Sequence, residues 1–364
     1  MERGKPKPGK AASASKGELL LPGAEITLAA AIVSAARSYR AKARAKRTLE
    51  AYRDAWQRFC AWCEREGREP LPASADTVAG WMVALADGHD GPPRSASTIN
   101  GYLSAVISAH RAAGHVFDRR QGAVAEVWQG ISRTKAKQDS KRQVRPLMAD
   151  DLSSLLSGLT HNLPADTRDA ALLALGWSAA LRRSELVGLD WLKRSTGAGS
   201  VHIEEGKGLV VRLATSKGSQ TQAVEVVVPC AEMPEVCEAM DRWVKVAGLQ
   251  SGDPIFRPID KGQNIRPGRL WARSVASIVK ARVHTLAVAR GKTEAEADEL
   301  VSQFSGHSMR AGYATTAGAA DMPSYRIMQH TRHRSHEMVA TYIREGQKWS
   351  NSGLKGLWKR GGGQ

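Results

Sequence analysis

Residues 133–145, RTKAKQDSKRQVR, are charged or polar almost throughout and carry no apolar period. A segment with nothing to bury cannot thread a core, so the chain must fold as two bodies, one on each side of it. At 364 residues there is length enough for two domains. The divisions expected are a disordered basic tail at 1–24, a helical domain at 25–134, a basic linker at 135–146, a larger domain at 147–345 and a tail at 346–364. Residues 1–17, rich in Lys, Gly, Pro, Ala and Ser, have the composition of a disordered segment.

The first body reads as all-helical. Helix signals run through 25–45 and 46–66, the second with the apolar stripe Leu49, Tyr52, Trp56, Phe59, Cys63. A third helix begins near residue 74 and carries Val78, Trp81, Met82 and Leu85, until Gly88, Gly91, Pro92 and Pro93 end it. Ser97 or Thr98 can cap a fourth, with Ile99, Leu103, Val106 and His110 at helical spacing. A short fifth helix covers about 121–132.

The second body is mixed. Asp150 or Asp151 can cap a helix bearing Leu152, Leu155, Leu156 and Leu159, and an apolar helix follows at 165–181. Three strand signals come next, at 200–204, 208–214 and 223–228, the last two rich in β-branched residues. Everything after Pro229 reads as helix and loop, at about 233–247, 268–290, 293–303, 307–320, 323–330 and 335–344. The fold class is therefore mainly α: an all-helical domain plus an α+β domain with a small antiparallel sheet.

Composition narrows the partners. Lys and Arg number 53 against 36 Asp and Glu, a formal net charge of +17. Such an excess points to a polyanion, most often nucleic acid. The apolar run Leu19-Leu20-Leu21, stopped by Pro22, is too short for a signal-peptide core, and no run approaches a membrane span. A cytoplasmic, nucleoid-associated protein is expected. Four cysteines exclude a disulfide scaffold. Cys60 and Cys63 form C-x-x-C but lie on the helical stripe and read as core residues. Cys230 and Cys237 do not form a second such pair.

Five short segments hold the chemistry. Ala180-Leu181-Arg182-Arg183-Ser184-Glu185-Leu186 follows the apolar helix, and Thr215-Ser216-Lys217-Gly218 lies in a hairpin turn. Ser305-Gly306-His307-Ser308-Met309-Arg310 opens a later helix. Thr331-Arg332-His333-Arg334-Ser335 precedes the last one, and Tyr342 follows nine residues after His333. In this order and spacing the set resembles the tyrosine recombinase (phage integrase) family over about residues 30–345, with a catalytic half most similar to the Cre-type recombinases.

The residue types suit one reaction. A phenol with a pKa near 10 is a weak nucleophile when neutral, so Tyr342 needs positive surroundings and a proton acceptor. Phosphodiester cleavage builds negative charge on the non-bridging oxygens, which the planar forks of Arg182 and Arg310 can hold. His307, three residues before Arg310, shares its helix face and can bind the phosphate or take the tyrosine proton. Lys217 can protonate the leaving 5′-oxygen, although Lys207 in the neighbouring turn offers an alternative register. His333 completes the cage, and Glu185 braces Arg182 or His307. His330, His333 and His336 are spaced by three, but on a helix they drift around the surface, so a zinc site is not expected.

The resemblance then implies a 3′-phosphotyrosine at Tyr342, strand exchange through a Holliday junction, no metal, no ATP and no other cofactor. It implies double-stranded DNA with paired inverted half-sites as partner, a dimer on each site and a homo-tetramer on DNA. A short helix carrying Leu354, Leu357 and Trp358 would dock on a neighbouring protomer. Lys135, Lys137, Lys141, Arg142 and Arg332 are the candidate DNA contacts, in a chain whose two domains embrace the duplex. The family carries Gly where this chain has Arg332, a position that favours a left-handed backbone. Two other readings remain: a DNA-binding protein of the same fold that no longer cleaves, and a type IB topoisomerase.

Overall fold

The computed structural model describes residues 46–120, 122–139, 144–160, 162–214 and 223–348. The expected tail at 1–24, the helix at 25–45 and the C-terminal helix around Leu354 lie outside these residues, as do Lys217, Lys141 and Arg142. The chain divides into two compact units, 1–141 and 142–364.

The first unit contains α1 (Lys46–Arg65), α2 (Ala75–Asp87), α3 (Ala96–Ala112) and α4 (Gly122–Asp139). The Ser74 hydroxyl accepts the Thr77 amide at 3.1 Å to start α2, and Gly88 ends that helix in the left-handed region. The cap of α3 is Ser95, which accepts from the Thr98 amide, two residues before the position expected. Phe59, Trp62, Trp81, Met82, Leu85, Ile99, Leu103 and Val124 form the core. Cys63 is buried among them, and burial, with Cys60 and Glu69 nearby, pushes its thiol up to about 11, so it is an unreactive core residue. Helix α4 runs to Asp139, so the first residues of the expected 135–146 linker are helical. Lys135 turns back onto its own unit and donates to the Ala86 carbonyl at 2.9 Å. The Lys137 side chain is not among those described.

The second unit opens with α5 (Ala149–Ser157), α6 (Pro164–Ser178) and the one-turn α7 (Arg183–Val187). Met148 occupies the N-cap of α5, with Asp150 and Asp151 in its first turn rather than at the cap. The sheet has four strands in sequential order: β1 (Leu189–Trp191), β2 (Gly199–Glu204), β3 (Gly208–Leu213) and β4 (Val224–Pro229). The three expected strands pair antiparallel, but β1 joins β2 in parallel, which makes the sheet mixed. Three residues are too few to show a period of two, so β1 is silent in the sequence. Cys230 and Cys237, not paired in the sequence reading, form a disulfide between the end of β4 and the next helix.

Six helices complete the unit: α8 (Pro234–Ala247), α9 (Ala272–Ala289), α10 (Glu294–Ser302), α11 (Ser308–Ala319), α12 (Ser324–Thr331) and α13 (His336–Gly346). Helix α6 is buried along nearly its whole length, in a core shared with β1–β4, α8 and α9. Helices α11 and α13 cross closely because small residues meet there. A Cβ on Gly318 would lie 2.8 Å from the Ile343 Cα, and one on Gly346 would lie 2.3 Å from the Thr315 carbonyl oxygen. This crossing sets Tyr342 on α13 beside the helix that carries Arg310. No helix among the described residues is long and apolar enough to cross a membrane.

Candidate active site

The site begins at the turn between α6 and α7. Ala180 holds a left-handed φ of 46°, and Arg182 then occupies the N-cap of α7. Glu185 closes that short helix from within. One carboxylate oxygen accepts the Arg182 amide at 2.9 Å, and the other accepts Arg182 Nη1 at 2.6 Å. Burial opposes ionisation of Glu185, but the Arg332 charge and the bonds from Arg182 outweigh it and hold its carboxyl below the usual carboxylate range. Of the two partners expected for Glu185, Arg182 is the one it braces.

Arg310 projects from the first turn of α11 and is 4% exposed. Its Nη1 donates to the Ala180 carbonyl at 2.8 Å, while Nη2 is buried and has no hydrogen-bond partner among the described residues. Desolvation, reinforced by the charges of Arg182 and Arg332, lowers this guanidinium to about 9. A buried donor without an acceptor is costly unless a ligand supplies one.

Arg332 overturns one expectation. Its backbone does adopt the left-handed region, at φ 58° and ψ 42°, as the C-cap of α12. Its side chain is buried and turns inward, donating to the carbonyls of Ala179, Ala180 and His330 and to Glu185. The fork is consumed inside the protein and does not reach outward to a DNA phosphate.

His333 follows directly and is 9% exposed. The Thr331 hydroxyl lies 2.6 Å from the Ile327 carbonyl and 2.7 Å from His333 Nδ1. A carbonyl can only accept, so the hydroxyl proton is directed there, and Thr331 must accept from a protonated Nδ1. In the neutral ring the lone pair then sits on Nε2. Burial, followed by the charges of Arg310, Arg182 and Arg332, lowers the His333 pKa to about 4, so the ring is neutral at physiological pH. It stacks on the half-buried Tyr342 with centroids 5.8 Å apart. Tyr342 and the exposed His307, which caps α11, line one cavity of about 940 Å³.

Six of the seven expected catalytic residues thus belong to one neighbourhood: Arg182, Glu185, His307, Arg310, His333 and Tyr342. Lys217 lies outside the described residues. Its alternative, Lys207, is exposed and paired with Glu204 at 2.7 Å. His330 bonds the Ser178 carbonyl at 2.7 Å and stacks on Tyr313. No cluster of three His, Cys, Asp or Glu side chains suited to a metal occurs among the described residues. The sequence reading missed Thr331 as the group that orients His333, and the inward role of Arg332. Only the Arg at a position suited to Gly marked either one.

Residues 145–348 match the model of the phage integrase family. An integrase/recombinase xerD homolog of Selenomonas ruminantium is 31% identical over 322 residues, covering 88% of this chain and 87% of the relative. The tyrosine recombinase XerC of Actinobacillus pleuropneumoniae serotype 7 is 33% identical over 40% of each chain. Among solved structures, a lambda integrase dimer bound to a COC′ core site aligns with TM-score 0.52 at 16% identity, over 89% of this chain and 98% of that one. The Tn1549 transposon integrase in complex with transposon right end DNA aligns with TM-score 0.54 at 16% identity, over 84% and 92%. These two share the fold. With the family match spanning more than half of the sequence, and a relative matched along most of its length, this chain belongs to the phage integrase family of tyrosine recombinases.

Proposed function

We propose that the protein is a site-specific DNA recombinase that cuts and rejoins strands through a 3′-phosphotyrosine at Tyr342. The observation that carries this reading is Arg310 Nη2, buried beside Arg182 with no partner among the described residues, with the Tyr342 ring stacked on His333 at the same place. A scissile phosphate supplies the missing acceptor. Arg182 and Arg310 hold its non-bridging oxygens more tightly as charge develops in the transition state. His307, at the start of α11, binds the same group.

Tyr342 Oη attacks phosphorus and the bond to the 5′-oxygen breaks. The phenolic proton passes to His307, which lines the same cavity as Tyr342, while the neutral His333 completes the phosphate cage, and the 5′-oxygen takes a proton from Lys217. A 5′-hydroxyl from the partner strand then attacks the phosphotyrosine and releases Tyr342. One ester replaces another at each stage, so bond energy is conserved without nucleotide hydrolysis. Exchange of two strand pairs in turn, through a Holliday junction in a tetramer on paired inverted half-sites, completes the reaction. Residues 346–364 link neighbouring protomers in that assembly.

Enrichment of bound sequences from random duplexes would identify the site, and a plasmid bearing two copies tests the reaction in EDTA without ATP. Exchange of the flanking segments supports the reading. Binding without covalent capture would identify a silent DNA-binding protein, and supercoil relaxation without exchange a topoisomerase.

A further inference from the structure

We propose that Arg332 is a positioning residue that ties the turn presenting Arg182 to the turn presenting His333. The proposal rests on the recombinase reading above for what is being positioned, but its geometry stands alone. Arg332 sits at the end of α12, one residue before His333. Its fork crosses to the α6–α7 turn, where Nη1 meets the Ala179 carbonyl at 3.2 Å and Nη2 meets the Ala180 carbonyl at 2.9 Å. Nη2 also reaches Glu185 Oε2 at 3.1 Å, and Nη1 returns to the His330 carbonyl at 2.9 Å. In the opposite direction, Arg182 Nη2 approaches the Arg332 carbonyl at 3.5 Å.

Two features separate this from incidental burial. Ala180 and Arg332 both hold left-handed backbones without being glycine. That conformation disfavours side chains unless the surroundings hold it in place, and here one guanidinium bonds across both turns. The Ala180 carbonyl also accepts from Arg310 and Glu185 from Arg182, so two of the four bonds made by Arg332 end on groups that hold the phosphate-binding arginines. A lysine offers a single point of donation and cannot span these acceptors.

The charges around His333 give the proposal a separate readout. Facing it are Arg310 from α11, Arg182 at the start of α7 and Arg332 itself, the last two bonded to the Glu185 carboxylate. Tyr342 of α13 lies on its face and the Thr331 hydroxyl at its edge. Loss of Arg332 removes one of three cations that oppose protonation of the ring and releases the turn that holds it.

The test uses the full chain with Arg332→Gly, which tolerates the left-handed backbone, and Arg332→Lys, which keeps the charge. The His333 ring is titrated by NMR without DNA, and covalent capture and affinity are measured on the enriched duplex. In Arg332→Gly the His333 midpoint should rise above about 4, with burial, Arg310 and Arg182 still holding it below the ordinary 6.5. Capture should slow by about a hundredfold, the scale of a small misplacement, with affinity and its salt dependence unchanged. Arg332→Lys should not restore the rate. Wild-type capture and an unmoved midpoint in Arg332→Gly would overturn the proposal, because Arg332 would then only occupy a turn. A parallel loss of affinity and of salt dependence would overturn it in favour of a phosphate contact. If Arg332→Gly does not fold, Arg332→Lys is judged by its capture rate and the same midpoint. If the wild-type protein captures no DNA, the recombinase reading fails, while the midpoint still decides whether Arg332 holds His333.

Discussion

His333 shows how one side chain can be tuned from three sides. Its pKa of about 4 lies below the ordinary 6.5, so between these values the unfolded chain binds a proton that the folded chain does not. Stability should therefore rise with pH across that window and fall as acid is added, reaching its full loss below about pH 4. Urea unfolding at pH 7 and pH 5 should show the loss, and His333→Asn should flatten it in part. His330, which burial also depresses, contributes to the remainder. At Arg182 and Arg310, Arg→Lys keeps the charge but removes the planar fork. Capture should fall by about a hundredfold or more for either, with affinity little changed, and a gel-shift titration beside a capture time course separates the two. The identities of these residues were legible in the sequence because order and spacing survive without coordinates. The tautomer of His333 was not, because it depends on which acceptor Thr331 chooses, and that is set by the last turn of α12. Nor was the direction of the Arg332 side chain, since a basic residue in a loop reads as exposed until its neighbours are known.

At the scale of elements, the α11–α13 crossing sets where Tyr342 lies relative to Arg310. Ala314 and Ala317 on α11 pack with Val339 on α13, and the glycines at 318 and 346 let the backbones approach. Gly318→Ala introduces a Cβ only 2.8 Å from a backbone atom, which no rotamer change can relieve. It should destabilise the protein by about 1–3 kcal/mol and slow capture more than it weakens DNA binding. Thermal melts read the first effect and capture kinetics the second. Such contacts escape sequence reading, because a glycine in a helical pattern looks the same whether or not a second helix lies against it. The helices themselves were legible wherever an apolar stripe repeated over several turns, as in α1, α8 and α9. Boundaries moved where capping chemistry offered rivals, and Ser95 displaced Ser97 because its hydroxyl reaches the Thr98 amide. Helix α4 ran past its expected end because charged residues are good helix formers even without a core to face.

For the whole molecule, the net charge of +17 sets how binding responds to salt. Six to ten phosphate contacts would lower duplex affinity by about 10³–10⁵ between roughly 50 and 200 mM salt, and a fluorescence anisotropy series would measure the slope. A flat series would mean that the basic surface does not meet the backbone. The boundary between the two units, at 141/142, falls within the segment 133–145 that lacks an apolar period, although the first seven residues of that segment continue α4. The central claim, that Tyr342 becomes joined to DNA, is tested most directly by incubating the full chain with the enriched duplex, nicked beside the cleavage position so that the freed end diffuses away. Nuclease and protease digestion followed by mass spectrometry then locates the nucleotide remnant. The account predicts a 3′-phosphonucleotide on the peptide containing Tyr342 and none in Tyr342→Phe, which should bind the duplex as tightly as the wild type. A remnant on any other residue, or an adduct that survives in Tyr342→Phe, would contradict it.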